Sequence, residues 1–515
     1  MNSVSSNNRR LLKNTLLLYG RMFLTMGIGL MTPRLLLRNL GAVDYGLVNV
    51  IGSVISMCIF FSGALGTASS RFLNFEMEKG DPKRLHEIFS QIVELHFGMA
   101  LLTILLGESF GLWYFYHKLN IPAESVANGL SFLHMSNIIT ALNILIVPYT
   151  ALLIAHENMK VFSLFSIIEA CLHFFAAFLL RYISADRLGN YGHLYATFNA
   201  LLLFLYCCHA LKNYPESRIR PIFSRRDFKD LLSFSTWNAL GTAAWASSEI
   251  FISLLLNAFF GPIVNAARGI AMQIFAYTGK FTQNFLTASR PQIVKYWATG
   301  KKQEFEDIIC MTSRLGYLLL LICTVPLILE MPKILRLWLT NYPDYSVSFA
   351  RLTLICGLIN FFSFPIVYGV QATGRIALFE SLGSGIKFLT FPIAWLLLRL
   401  GMHPDSVLIV NCAVTLMSVT TRLAIMVKLT GISAFKLVRE VYVPLLLITV
   451  FVFAVASPIT SLLPSSLIRV LAVVILSSLA ISITGFFLVL KKQERVWIKM
   501  RASQVFEIFR GKSAA

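Results

Sequence analysis

Apolar residues run through this chain in long unbroken stretches, separated by short polar segments. A helix needs about 20 consecutive apolar residues to cross the hydrocarbon of a bilayer. The stretches are continuous rather than alternating, which excludes a membrane β-barrel. The pattern predicts an all-α polytopic membrane protein with fourteen transmembrane helices. They lie near 14–37, 46–66, 90–116, 127–154, 161–182, 191–211, 234–257, 266–288, 308–330, 348–370, 378–399, 406–427, 441–462 and 467–490. The segment 212–233 is the most polar. From Phe223 to Phe234 it mixes Arg225, Arg226 and Lys229 with Phe228, Leu231 and Leu232. That mixture predicts a helix lying on the membrane surface. The tail 491–515 is basic and has the same potential.

The pattern also repeats. Leu40-Gly41 returns 220 residues later as Phe260-Gly261, Thr67-Ala68-Ser69 as Thr287-Ala288-Ser289, and Gly80 as Gly300. Further on the offset becomes 217: Pro148 matches Pro365, Ala155 matches Ala372 and Phe162 matches Phe379. Six spans per copy is an even number, so both copies have the same orientation. This is the parallel repeat that some transporters use, with a site expected between the halves near the bilayer midplane. The organisation predicted is a six-helix lobe over 1–211, a basic linker over 212–233 and a second six-helix lobe over 234–430. Two further helices over 431–490 and the tail 491–515 follow.

Composition agrees and narrows the class. Of 515 residues, 56% are hydrophobic and 14% charged, whereas a soluble protein carries roughly 25% charged residues. The chain is therefore neither an ordinary cytosolic enzyme nor a disordered protein. Net charge is +20. Nucleic-acid binding is one reading of that excess, but the basic residues sit in alternate inter-span segments rather than on one soluble face. They cluster at Arg9 to Lys13, Arg71 to Arg84, Lys212 to Lys229, Arg290 to Lys302, Lys428 to Arg439 and Lys491 to Lys512. This positive-inside pattern predicts that both termini are cytoplasmic. The first apolar run carries Arg21 and has no small-residue cleavage site, so it is expected to remain as a span rather than act as a signal peptide. All eight cysteines lie within or at the ends of apolar runs without a C-x-x-C spacing. No disulfide, metal or cofactor is expected.

Several segments resemble a known family. Asn39-Leu40-Gly41-Ala42-Val43-Asp44-Tyr45-Gly46, followed by Val50-Ile51-Gly52, resembles the region after the first helix of Wzx-type polysaccharide flippases. So do Ala68-Ser69-Ser70-Arg71-Phe72 with Gly80-Asp81, Asn265-Ala266-Ala267-Arg268-Gly269-Ile270-Ala271, and Asn284-Phe285 with Pro291-Gln292-Ile293-Val294-Lys295. The resemblance covers about residues 10–430 and identifies the fold better than the cargo. These flippases belong to the multidrug/oligosaccharidyl-lipid/polysaccharide (MOP) exporter superfamily, with the lipid II flippase MurJ and the MATE antiporters. The resemblance implies a V-shaped two-lobe transporter in a bacterial inner membrane. It implies as cargo an undecaprenyl-pyrophosphate-linked oligosaccharide, an O-antigen or capsule repeat unit. Polysaccharide-assembly proteins and a coupling H+ or Na+ are possible partners.

Ionisable groups inside spans are costly, so each is a candidate site residue. Arg21, Arg268, Lys280 and Lys387 form the expected cationic, substrate-binding set. MurJ-like flippases carry arginines on their first and eighth helices, and Arg21 and Arg268 agree with that by helix. Arg binds phosphate bidentately and Lys as a point charge. Arg21 and Thr25 share one helical face. The equivalent face of the second copy carries Trp245, Glu249, Ser253 and Asn257. Gln273, Tyr277, Lys280 and Asn284 form a second polar stripe at helical spacing. Trp245 and Tyr277 are candidates for stacking on sugar rings. Glu249 and Glu169 are candidates for ion coupling, and structural ion pairing is the competing reading of such charges. Pro148 and Pro365 are candidate hinges at matched repeat positions. Glu94, Arg314, Glu380 and Arg422 lie nearer the span ends, where snorkelling to the interface accounts for them. His96, His156 and His173 have no partner at metal-ligand spacing. Two other readings compete. A MATE-type cation-coupled multidrug antiporter would favour acidic groups, whereas here basic groups match or outnumber them. An integral membrane glycosyltransferase or acyltransferase would need clustered Asp, Glu or His and a sizeable soluble loop. No Walker-type loop indicates ATP use.

Overall fold

In the computed structural model the described residues are 2–156, 158–183, 185–218, 247–373, 376–491 and 495. Among them the regular structure is helical, with no strand. Helix α1 covers Asn2–Lys79, α2 Pro82–His117, α3 Ala123–Ala155, α4 Met159–Tyr182, α5 Arg187–Asn213 and α6 Ser247–Phe260. Then come α7 (Pro262–Ala298), α8 (Lys302–Leu339), α9 (Ser346–Thr373), α10 (376–399), α11 (Asp405–Thr430), α12 (Ala434–Leu462) and α13 (Leu467–Val489).

Ten of these are long and apolar enough to cross a membrane, among the described residues. The protein is multi-pass. The ten correspond to the expected spans three to six and nine to fourteen. Expected spans one and two lie within α1, and the seventh and eighth fall on α6, α7 and the stretch before Ser247. The surface helix expected over 223–234, Trp245 and most of the tail lie outside the described residues.

The repeat offset has a backbone counterpart. Gly41 interrupts α1 at φ +81°, and Gly261 separates α6 from α7 at φ +78°. Gly80 and Gly300, the second pair, have φ of +73° and +67°. These left-handed conformations are open to glycine at little cost and strained for side-chain-bearing residues. The glycines therefore mark turns that both copies need. After Gly80, the Asp81 side chain accepts from the backbone N–H groups of Lys83 and Arg84, capping α2.

The chain gathers into two compact units. The first contains Met1–Ile270, Trp338–Ser346 and Phe391–Pro404. Its core packs Leu73, Ile88, Phe89 and Ile92 against Tyr149, Leu152, Leu202 and Tyr206. Phe89 meets Tyr149 edge-on at 5.9 Å. The second unit contains Ala271–Leu337, Val347–Thr390 and Asp405–Ala515. Its core joins Tyr317, Phe361, Phe362, Ile366, Met426 and Leu445.

Helix α8 organises the second unit. It contains Pro326 and Pro332 and departs from helical geometry at Glu330. Pro332 has no N–H to offer the carbonyl of Ile328. Arg351 of α9 takes over, donating from Nε to that oxygen at 2.8 Å. The C-terminal pair α12–α13 is fastened to α8 at both ends. At one end Arg469 grips Glu330 with two nitrogens, at 2.8 and 2.9 Å. At the other, Lys436 reaches Glu306 (2.8 Å) and Asp307 (3.3 Å), and Lys491 reaches Asp307 (3.8 Å). Tyr317 and Thr449 share a hydroxyl hydrogen bond of 3.0 Å between them.

The candidate hinges differ. Pro148 sits inside an uninterrupted α3. Pro365 follows a break at Phe362, between helical stretches ending at Phe361 and starting at Ser363. Proline clashes with the carbonyl four residues back, here that of Phe361, which places the break where it occurs.

Candidate substrate site

In the first unit Arg21 projects from α1 toward α4. Its Nη1 donates to Ser166 Oγ at 3.3 Å, and its guanidinium lies 4.8 Å from the centre of the Phe162 ring. Glu169 is within electrostatic reach on the same face of α4. Arg21 is half-buried and retains access to solvent or ligand. Thr25 spends its hydroxyl on the Arg21 carbonyl at 2.9 Å, as intrahelical serines and threonines do in apolar surroundings.

The other expected arginine has a different setting. Arg268 is buried, 3% exposed, and forms an ion pair with Glu249 across the turn at Gly261. Asn257, on the same stripe of α6, is also buried. Its Oδ1 accepts from the Asn120 backbone N–H at 2.9 Å, and its Nδ2 donates back to the Asn120 carbonyl at 3.4 Å. Ser253 is buried too. Ser253 and Asn257 thus face protein, and Glu249 is half-buried, where the repeat predicts a face turned to a central cleft.

In the second unit α7 carries the polar stripe. Lys280 is exposed, with its ammonium 4.8 Å from the Tyr277 ring centre. Gln273 reaches the Tyr277 hydroxyl at 3.5 Å. Gln283, missed in the sequence, donates to the Tyr368 hydroxyl at 3.1 Å. The Asn284 side chain lies outside the described residues. Lys387 is buried, 7% exposed, in a 3-10 stretch (Ile386–Leu389) of α10. It donates to Thr415 Oγ1 of α11, which itself donates to the Asn411 carbonyl at 2.6 Å.

The four candidate cations thus divide by exposure. Arg268 and Lys387 are held inside protein; Arg21 and Lys280 remain accessible. Two further charges depart from expectation. Arg314 does not snorkel: it is 1% exposed and donates to the Glu440 carbonyl at 3.3 Å. His156 is not idle either. Its Nε2 sits 2.5 Å from Glu216 Oε1, and its ring stacks on Tyr214 at 4.3 Å. Burial alone would raise the Glu216 carboxyl, but the His156 hydrogen bond and Glu216's own backbone N–H outweigh it. The net result holds the group below its ordinary 4.5. A depressed carboxylate adds stability above its unfolded value, lost as pH falls through the folded one. Acid unfolding followed by circular dichroism should therefore show a shallower pH dependence below about 4.5 in Glu216→Gln. Equal slopes in the two proteins would remove this pair from the account. Among the described residues no cluster of His, Cys, Asp or Glu has the makings of a metal site.

Comparison with known proteins fits this arrangement of apolar helices. The family model described as "Polysaccharide biosynthesis protein" matches residues 11–278. The chain belongs to that family. No curated protein matches the sequence significantly. Among solved structures, an inward-facing multidrug resistance MATE family transporter of the MOP superfamily superposes with a TM-score of 0.69. The identity is 11%, over 80% of this chain and 96% of that one. The lipid II flippase MurJ, in an inward closed conformation, superposes with a TM-score of 0.65 and 11% identity, covering 91% and 98% of the two chains. The MATE multidrug transporter DinF-BH gives 0.59 and 11%, covering 81% and 97%. At these identities the likeness establishes the fold: among its described residues, this polysaccharide biosynthesis family member shares the helical architecture of the MATE and MurJ structures.

Proposed function

We propose that the chain is a flippase. It moves an undecaprenyl-pyrophosphate-linked oligosaccharide, an O-antigen or capsule repeat unit, from the cytoplasmic to the periplasmic leaflet by alternating access. The observation that carries this is the exposure of Lys280 on the polar stripe of α7, in a member of the polysaccharide biosynthesis family. A charge at membrane depth is expensive unless it faces water or a counter-charge. A pyrophosphate supplies that counter-charge, and a fixed ammonium replaces part of the hydration the headgroup loses. Tyr277, held under Lys280, offers a ring face to a sugar. Arg21 gives the first unit a corresponding accessible guanidinium, partly balanced by Glu169.

The MOP fold serves multidrug transporters as well as the lipid II flippase, so the cargo is argued from charge. A carrier of cationic drugs gains from unpaired carboxylates; here Glu249 is spent on Arg268. Glu169, beside Arg21, is the remaining candidate of the two for a coupling ion. In this reading the protein lies in the inner membrane with both termini cytoplasmic, and chemistry on the cargo belongs to other proteins.

Native mass spectrometry with undecaprenyl-pyrophosphate oligosaccharide, and a cationic dye as competitor, tests this. Lipid binding should fall about tenfold or more in Lys280→Ala and in Arg21→Ala, the loss expected for one charged hydrogen bond to phosphate. Dye binding without lipid binding, indifferent to both substitutions, would transfer the protein to the antiporters.

A further inference from the structure

One cluster of ionisable side chains plays no part in that mechanism. It lies in the first unit, on the surface where α3 packs between α2 and α5. Helix α2 widens into a π-helical turn at Gly107–Gly111, and Glu108 is in it. Such turns are rare and concentrate at functional sites. Glu108 Oε2 is 2.7 Å from His134 Nδ1, and Asn137 Nδ2 donates to Oε1 at 2.7 Å. A side chain at Gly107 would run into Asn137, so the glycine lets the carboxylate approach α3. On the other flank of α3, Ser131 Oγ is 3.5 Å from His193 Nε2 of α5.

These groups are not enclosed. The side chains of Glu108 and His134 are 34% and 39% exposed, and His193 is exposed. All three sit within about 9–17 Å of the helix ends at His117, Ala123 and Arg187, at 1.5 Å per residue. Further from those ends the same faces turn apolar, one turn on at exposed Leu105 of α2 and Ile138 of α3, and two turns on at Leu201 of α5. Lipid tails suit the apolar part. Glu108 has His134 and Asn137, and His193 has Ser131, within the chain, but Glu108, His134 and His193 all keep an outward edge that lipid tails do not match.

We propose that this face binds a second copy of the chain, related by a two-fold axis along the membrane normal and passing beside α3. The face complements itself. A two-fold axis there lays α2 of one copy opposite α5 of the other at similar depth, so Glu108 meets the partner's His193, and the reverse contact forms by symmetry. Acid at one edge, base at the other and an apolar field below give such a dimer both polar and dispersion contacts.

The test is photobleaching step-counting of singly labelled full-length protein in liposomes at falling protein-to-lipid ratio. Two-step traces should dominate the wild type. Glu108→Gln should weaken the dimer about tenfold, since two symmetric contacts of a few-fold each are lost. Glu108→His combined with His193→Glu should restore it, which a folding defect would not. Single-step traces at every density would overturn the proposal. So would Glu108→Gln proteins that still pair like wild type. Single-step traces with a phospholipid retained only when Glu108 is present would assign the face to lipid headgroups instead.

Discussion

Glu330→Gln should destabilise the second unit by about 3–5 kcal/mol, the range found when one partner of a buried ion pair is removed. Glu330 is fully buried and Arg469 nearly so, at 0% and 16% side-chain exposure. The substitution keeps the shape and the hydrogen-bonding length but strands a guanidinium that cannot shed its proton. Arg469 also donates to the carbonyls of Thr460 (2.9 Å) and Leu463 (3.3 Å), at the turn between α12 and α13. Its loss of orientation should therefore loosen that turn as well. Thermal unfolding in detergent, followed by intrinsic fluorescence, would record the change. A melting temperature within a degree of wild type would show that the pair is replaceable by neutral hydrogen bonding.

The second large effect concerns Arg268 and Glu249. Glu249→Ala leaves a buried guanidinium without its carboxylate and should again cost about 3–5 kcal/mol. Arg268→Ala should cost less, because a stranded carboxyl can take up a proton and a stranded guanidinium cannot lose one. Replacing both, with methionine for each, should recover most of the stability and leave lipid binding within a few-fold of wild type. Loss of binding or transport in a stable double variant would return Arg268 to the cargo or Glu249 to ion coupling. Strict additivity of the two single effects would show that the pair has no coupling energy.

How legible these features were in the sequence follows from the distance over which each is determined. Spans come from local runs of apolar residues. The repeat comes from glycines whose backbone angle tolerates little else, and Gly41 and Gly261 share both offset and conformation. Lys280 and Tyr277 were readable as a pair because helical spacing alone brings them together. Arg268 and Glu249 were named for different tasks, since nothing local says that the turn at Gly261 folds α6 and α7 so that one meets the other. Arg314 reads as an interfacial residue until α12 is seen to cover it. Glu330 and Arg469 carry no local signal of pairing, although each is a charge near the end of an apolar run and their signs are opposite. Complementary charges in different runs were the available signal. Pairing His156 with Glu216 needed the chain to return 60 residues later to the same membrane edge.

The clasp between α8 and α13 also bears on how the protein is made. Arg469 follows Glu330 by 139 residues. At a synthesis rate of about 5–20 residues per second, that separation is roughly 7–28 s. During this interval α8 enters the membrane carrying a carboxylate whose counter-charge does not yet exist. The second unit therefore completes its assembly late, when the last hairpin is threaded in. A nascent chain stopped before Arg469 leaves Glu330 without the guanidinium that holds α13 to α8 in the finished unit.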